Sequence, residues 1–323
     1  MTSPSNDPLH FLYPIVESDA SGMLNVSDGH NIWWEASGRR DGVPVLFLHG
    51  GPGAPARPWH RRFYDPDFYR LIVMHQRGCG NSRPLAETAG NTTQSLIADI
   101  ELLRTLVGVE RWLVSGGSWG SKLALAYGER FAGRCLGFSL AGITLGRPHE
   151  MDWWWRGAGM LFPEAHDGLM EALPLNLRGD PLGGYYQLLI DPNPAVHLPA
   201  AKALCIYSAG TVNIVPRSEL AASYDDPDVA LPLARLFVHY AVHGFFLEPD
   251  EILMNLHRIA HLPCELVAGR YDVTTPCEAA WTLHKAWPGS NLTIVADGAH
   301  GIADPSSAAA FLAANERMKE WIS

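Results

Sequence analysis

Residues 111–131 read Arg-Trp-Leu-Val-Ser-Gly-Gly-Ser-Trp-Gly-Ser-Lys-Leu-Ala-Leu-Ala-Tyr-Gly-Glu-Arg-Phe. A short apolar run at 112–114 meets a cluster of small residues, Gly116-Gly117-Ser118-Trp119-Gly120. Residues 121–131 then carry a helical pattern. A strand that turns sharply into a helix needs small residues on both sides of the turn, because the two arms pass close to each other. Gly116-x-Ser118-x-Gly120 is the pattern of a nucleophile elbow set in the strand–helix context it requires. The turn exposes the Ser118 hydroxyl and points the helix N-terminus at negative charge developing beside it.

Similar alternation extends on both sides. Residues 44–49 and 69–74 are apolar runs that end in turn residues, and 135–140 is another. Such runs suit strands covered on both faces. Leu96, Ile97, Ile100, Leu103 and Val107 share one helical face over 93–107, with Asn91 or Thr92 as N-cap. The alternation breaks from about 144 to 247, where the chain is rich in Trp, Pro and Leu and reads as helices and loops. It resumes with a strand at 264–268, a helix around 278–287, a strand at 292–296 and a closing helix from about 306 to 322. The expected class is α/β, a doubly wound, mostly parallel sheet. Its core is 1–143 and 248–323, with a helical cap inserted at 144–247. Residues 1–30 are turn-rich and read as an arm or an edge hairpin.

Composition narrows the function. The chain has 323 residues, 47% of them hydrophobic, and a net charge of −10. Disorder is excluded by that apolar content. A nucleic-acid partner or an anionic membrane surface does not suit the charge. No window approaches the roughly 18 apolar residues of a spanning helix. The first ten residues lack the basic cluster and apolar stretch of a secretory signal. The five cysteines are scattered without metal spacing, which suits reduced thiols in a cytoplasmic protein. His239/His243 and His257/His261 have ligand spacing, but the Glu of H-E-x-x-H and a third ligand are missing. No metal is expected. Arg61-Arg62 reads as a solvated face.

A serine hydroxyl is a poor nucleophile at neutral pH and needs a base oriented by an acid. The order Ser, acid, His selects Asp272, in Gly269-Arg270-Tyr271-Asp272, and His300, in Gly298-Ala299-His300-Gly301. Each follows a strand, where open α/β sheets place their ligands. Asp297 and Asp304 are rivals for the acid. His49-Gly50-Gly51-Pro52-Gly53 follows the first central strand. The N–H groups of Gly51 and Trp119 are therefore the expected oxyanion donors.

These residues resemble the proline iminopeptidase family of α/β-hydrolases over about 44–321. The likeness rests on HGGPG at 49–53, QRGCGNSRP at 76–84, NTT at 91–93, RWLVSGGSWGS at 111–121, LALAYGERF at 123–131, LFPEA at 161–165 and GRYDV with AWTLHKAWPGS at 269–290. The resemblance implies the α/β-hydrolase fold with a helical cap, a Ser118–His300–Asp272 triad and no cofactor. It also implies removal of an N-terminal residue, typically proline, from small peptides or amides. Four departures stand out. His75 replaces the Asp of D-Q-R-G, and Thr275 replaces the Cys of R-Y-D-x-x-C-P. Ala299-His300-Gly301 replaces G-H-S. The family's two amine-binding cap glutamates fall on Ser208 and Phe237. A buried ammonium without a counter-charge costs several kcal/mol.

The sequence therefore predicts a serine hydrolase acting on a small-molecule amide or ester that is neutral where it enters the cap. Trp153, Trp154, Phe162, Tyr207, Ser208 and Phe237 are the expected pocket residues, with Trp155 beside them. One alternative is a genuine aminopeptidase in which Glu164, Glu219, Asp225 or Asp226 supplies the missing charge. Another is acyl transfer or cyclisation by the same triad. A binding protein on a hydrolase fold is the reading from another class, and the three triad candidates weigh against it.

Overall fold

The computed structural model describes residues 8–215 and 217–322. Residues 1–7 of the expected arm lie outside them. Eight strands form one sheet in the order β1-β2-β4-β3-β5-β6-β7-β8. They are β1 (Ala20–Asn25), β2 (Asn31–Gly38), β3 (Val43–Leu48), β4 (Tyr69–Met74), β5 (Trp112–Gly117), β6 (Cys135–Ala141), β7 (Cys264–Gly269) and β8 (Ser290–Val295). β1 and β2 pair antiparallel as an edge hairpin, and β2 joins β4 antiparallel. Every other pairing is parallel.

Alternate residues of the central strands feed two separate cores. Leu46, Leu48 and Val114 face one side, packed with α1 (Thr93–Leu106) and α2 (Trp119–Arg130). Val45, Phe47 and Leu113 face the other and meet Phe311 and Met318 of the C-terminal helix, Pro305–Ile322. This double coverage is why those strands read as unbroken apolar runs. Arg61 and Arg62 correct the solvated-face reading. The Arg61 guanidinium grips the buried Glu35 carboxylate from β2 and donates to the Val16 carbonyl. Arg62 donates to the Tyr13 and Leu9 carbonyls. The pair staples the N-terminal segment to the core, and nothing local in the sequence signals those distant acceptors.

Between β6 and β7 the chain is helical: α3 (Pro148–Trp155), α4 (Pro163–Glu171), α5 (Pro181–Ile190), α6 (Pro194–Thr211), α7 (Ser218–Ser223), α8 (Pro227–Val242) and α9 (Glu251–Asn255). α10 (Cys277–Ala286) and α11 (Pro305–Ile322) follow. Trp154, Trp155, Tyr185, Leu204, Tyr207 and Val238 form a third apolar cluster within this excursion. Among the described residues no single helix is long and apolar enough to cross a membrane.

Lys122 on α2 is buried, with its ammonium 3.9 Å from the Phe245 ring centroid. A Cβ at Gly146 would lie 1.7 Å from its Nζ and displace the ammonium, and the φ of 68 there strains any side chain. Burial pushes the Lys122 ammonium down to about 7, against the pull of Glu150 and Glu251. An unfolded lysine titrates near 10.4. The cost of burying the charge is thus fully present below about pH 7 and fades as the pH rises towards the unfolded value. Lys122→Met is expected to stabilise the fold by about 1–4 kcal/mol at pH 6. At pH 10 the gain shrinks, and denaturant midpoints at the two pH values check this.

Candidate active site

Parallel strands deliver the site from their C-terminal ends. Ser118 follows β5 with φ 57 and ψ −129, a conformation that costs a residue with a Cβ about 1–3 kcal/mol. The turn closes because its flanks lack side chains. A Cβ on Gly120 would stand 2.0 Å from the Leu48 carbonyl oxygen. The Ser118 N–H donates to Ala141, and the Ser118 carbonyl accepts from the Ser121 N–H and hydroxyl. Its backbone is thereby fixed while its side chain faces a cavity. Trp119 opens α2, so its N–H has no intrahelical acceptor.

The loop after β3 runs against this turn. A Cβ on Gly50 would lie 3.7 Å from Ser118 Oγ. Gly51 has φ 109, open in practice to glycine alone. Gln76 ties the parts together. Its N–H donates to His49 Nε2 at 2.9 Å, and its amide nitrogen donates to the His49 carbonyl at 2.8 Å. Its amide oxygen accepts from Trp119 Nε1 at 2.7 Å. Burial pushes His49 down to about 4, which keeps the ring neutral and Nε2 free to accept. Sequence reading assigned no role to Gln76, although it lies inside the quoted QRGCG string. His75 stands outside the cavity wall. It accepts from the Asn81 N–H at Nδ1 and donates from Nε2 to the Ala56 carbonyl. Burial pushes it down to about 3, so it braces loops as a neutral ring. Cys79 is buried against Gln76 and His49 and also lies outside the wall.

Asp272 follows β7 and His300 follows β8. His300 Nδ1 donates to Asp272 Oδ2 at 2.9 Å, and the carboxylate is buried. Burial alone would lower the His300 pKa, but the charge and hydrogen bond of Asp272 outweigh it and raise it above 6.5. The Nδ1–H tautomer leaves Nε2 as the proton acceptor. Ser118 and His300 open onto one cavity without a mutual hydrogen bond among the described residues. Such looseness is common before substrate closes a site. Asp297 accepts instead from Ser306, and Asp304 pairs with Arg217.

The cavity has a volume of about 500 Å³ and is walled by the loops at the strand ends and by the helical excursion between β6 and β7. Gly50, Gly51, Ser118, Trp119 and His300 form the sheet side, and Met151, Trp154, Ser208 and Phe237 come from the helical excursion. Trp153, Phe162 and Tyr207 are not in the wall, which corrects the expected pocket. The Trp153 indole donates to the Val273 carbonyl, and the Tyr207 hydroxyl is spent on the Trp154 carbonyl. Neighbouring residues on a helix project about 100° apart, so Trp154 cannot share its outlook with Trp153 or Trp155.

Glu150 is the carboxylate in the described lining. Its Oε1 accepts from Arg147, and its Oε2 accepts from the Thr144 hydroxyl and the Leu145 and Gly146 N–H groups. Arg147 balances its charge, and four donors from this one turn hold both oxygens in place. Glu164, Glu219, Asp225 and Asp226 are all absent from the lining. His239 and His243 are occupied with backbone carbonyls. Among the described residues no three His, Cys, Asp or Glu side chains are grouped to hold a metal.

The α/β hydrolase fold family matches residues 43–305. A proline iminopeptidase of Arabidopsis thaliana is 42% identical over 311 residues, covering 95% of this chain and 82% of the relative. A proline iminopeptidase of Neisseria gonorrhoeae is 42% identical over 308 residues, covering 94% and 98%. Among solved structures, a bromoperoxidase from Bacillus anthracis superposes with a TM-score of 0.65 at 19% identity, covering 94% of this chain and 99% of the other. An esterase from a Rhodococcus species gives 0.60 at 16% identity, covering 94% and 98%. At such identities those two likenesses concern the fold alone.

Proposed function

The chain belongs to the proline iminopeptidase family of α/β-hydrolases, and on that premise we propose that it is a serine hydrolase acting on amides or esters whose acyl end is neutral and apolar. Ser118 Oγ attacks the carbonyl while His300 Nε2 takes its proton. The Gly51 and Trp119 N–H groups receive the oxyanion, each worth roughly 3 kcal/mol. His300 returns the proton to the leaving amine or alcohol. Water, activated by the same base, then releases the acyl group. Asp272 holds the imidazole tautomer and stabilises its charged form. Residues 144–247 act as the cap that closes the acyl pocket.

One observation carries the specificity. Ser208 and Phe237, which the family resemblance aligns with amine-binding carboxylates, both stand in the cavity wall, and the Glu150 carboxylate in the same wall is already paired with Arg147. An entering ammonium would lose its hydration and gain no counter-charge. Genuine aminopeptidase action is the second reading, favoured by the 42% identity to proteins named proline iminopeptidase. A paired assay separates the two: p-nitrophenyl butyrate and N-acetylprolyl-p-nitroanilide beside prolyl-p-nitroanilide. The expected result is turnover of an uncharged substrate at 100-fold or more the kcat/KM of the free-amine anilide. That ratio corresponds to about 2.7 kcal/mol of discrimination. Equal or faster turnover of the prolyl anilide would establish the aminopeptidase reading instead. Adding an alcohol and analysing products would show whether the acyl group passes to water or to another acceptor.

A further inference from the structure

We propose that Thr275 is a positioning residue of the triad, fixing the Asp272 carboxylate and setting the basicity of His300 through its hydroxyl. This rests on the serine-hydrolase reading above.

Asp272 Oδ1 accepts the Thr275 N–H at 2.7 Å, and Oδ2 accepts the Thr275 hydroxyl at 2.7 Å. His300 supplies the other hydrogen bond to the carboxylate, Nδ1 to Oδ2 at 2.9 Å. Two of these three donors therefore come from one residue. The hydroxyl carries a single proton, and the carboxylate, an acceptor only, takes it. The Thr275 Oγ1 lone pairs then face His300 Nδ1 at 3.1 Å. Thr275 thus offers the Nδ1–H a second acceptor while donating to the first. Both contacts favour the tautomer with the proton on Nδ1 and the lone pair on Nε2. Thr275 is buried, which removes water as a competitor for either contact. The neighbouring backbone leaves room for the ring: a Cβ on Gly142 would stand 3.2 Å from His300 Cε1 and 3.5 Å from the Thr275 hydroxyl.

The hydroxyl has a distinct effect on charge. A hydrogen bond donated to a carboxylate disperses its negative charge, so the imidazolium feels a weaker attraction. Losing the Thr275 oxygen also removes a neutral acceptor from Nδ1–H, but at 3.1 Å that contact is the longer one; the stronger pull of an unshared Asp272 charge outweighs it, and the base titrates higher. Cysteine, which the family motif carries at this place, fills similar space but donates weakly through its S–H. Threonine therefore gives this chain a differently tuned base within an unchanged triad.

The test is the pH profile of kcat/KM on p-nitrophenyl butyrate for the full chain and for Thr275→Val, Thr275→Ser and Thr275→Cys. Valine removes the hydroxyl and keeps the backbone N–H bond. The expected result for Val is an acidic limb displaced upward by about 0.5 pH unit or more and a kcat reduced about tenfold, the scale of one charge-assisted hydrogen bond. Serine returns both values to within about twofold of the parent. Cysteine falls between and keeps the proposal testable if valine does not fold. An acidic limb unmoved in Val or Cys, or a serine variant that fails to recover it, would overturn the proposal. Ser118→Ala run alongside keeps the two readings apart. Persisting turnover there sinks the triad itself, whereas its loss beside an unmoved Thr275 profile sinks this inference alone.

Discussion

Ser118→Ala is expected to lower kcat on the preferred substrate by on the order of 10⁶, with the fold intact. The size follows from the chemistry. Without the hydroxyl no acyl-enzyme forms, and His300 can only assist water directly. The oxyanion donors and the cavity remain, which leaves a residual rate about 10³–10⁴ above the uncatalysed one. Alanine is tolerated because the backbone bonds to Ala141 and Ser121 do not involve the hydroxyl that is removed. Only the unfavourable φ of 57 persists, and alanine bears it much as serine does. His300→Ala should fall to nearly the same level, and the double variant little further, because the two act as one unit. The parent enzyme should lose kcat/KM on acidification through a pKa above 6.5. His300 must be neutral to accept the proton, and Asp272 holds its pKa up against burial. Active-site titration with a fluorophosphonate, beside steady-state rates, measures all of this. Turnover by Ser118→Ala within tenfold of the parent would remove Ser118 from the reaction.

The parts of the molecule legible in the sequence are those whose cause is local. β4 was expected at 69–74 and lies at Tyr69–Met74, because a strand buried on both faces shows itself as an apolar run. The elbow was legible because its steric requirement, glycine on either side of Ser118, is written in adjacent residues. β2 was not. Asn31–Gly38 mixes Trp33 and Trp34 with Glu35, and its partners are the outer strand β1 and β4. Its buried carboxylate makes sense only once Arg61 arrives from far along the chain. The pocket divided the same way. Ser208 and Phe237 fall on the family's aligned strings, and both stand in the wall. The aromatic residues stand out only by type, and type does not say which way a helix is turned. Trp154 faces the cavity while Trp153, one residue earlier, bonds to the core at Val273. Thr275 shows in the sequence only as a departure. Its hydroxyl meets Asp272 and His300 once β7 and β8 bring them to the same end of the sheet.

Ser208→Glu combined with Phe237→Glu should reverse the specificity. Ser208 lies on α6 and Phe237 on α8, two helices packed together between β6 and β7, and both residues stand in the cavity wall. Two carboxylates there would provide the counter-charge that a free N-terminal amine requires. A hydrogen bond to a charged group is worth about 1.5–3 kcal/mol, so each new carboxylate can contribute roughly ten- to a hundredfold. The double variant is expected to gain at least 100-fold in kcat/KM on prolyl-p-nitroanilide. On p-nitrophenyl butyrate it should lose activity, because an apolar acyl chain would then have to dehydrate two carboxylates. Two like charges close together raise one another's pKa, so the gain should grow as the pH rises from 6 to 8. Each single variant should recover part of the effect, with Phe237→Glu costing more stability because a ring packed against Trp154 is lost. A folded double variant that still discriminates against the free amine would show that the amine does not reach these two positions. The family's selectivity would then have to reside elsewhere in the cavity. A gain confined to the free-amine substrate would place the divergence of this chain from its relatives in two side chains above an unchanged triad.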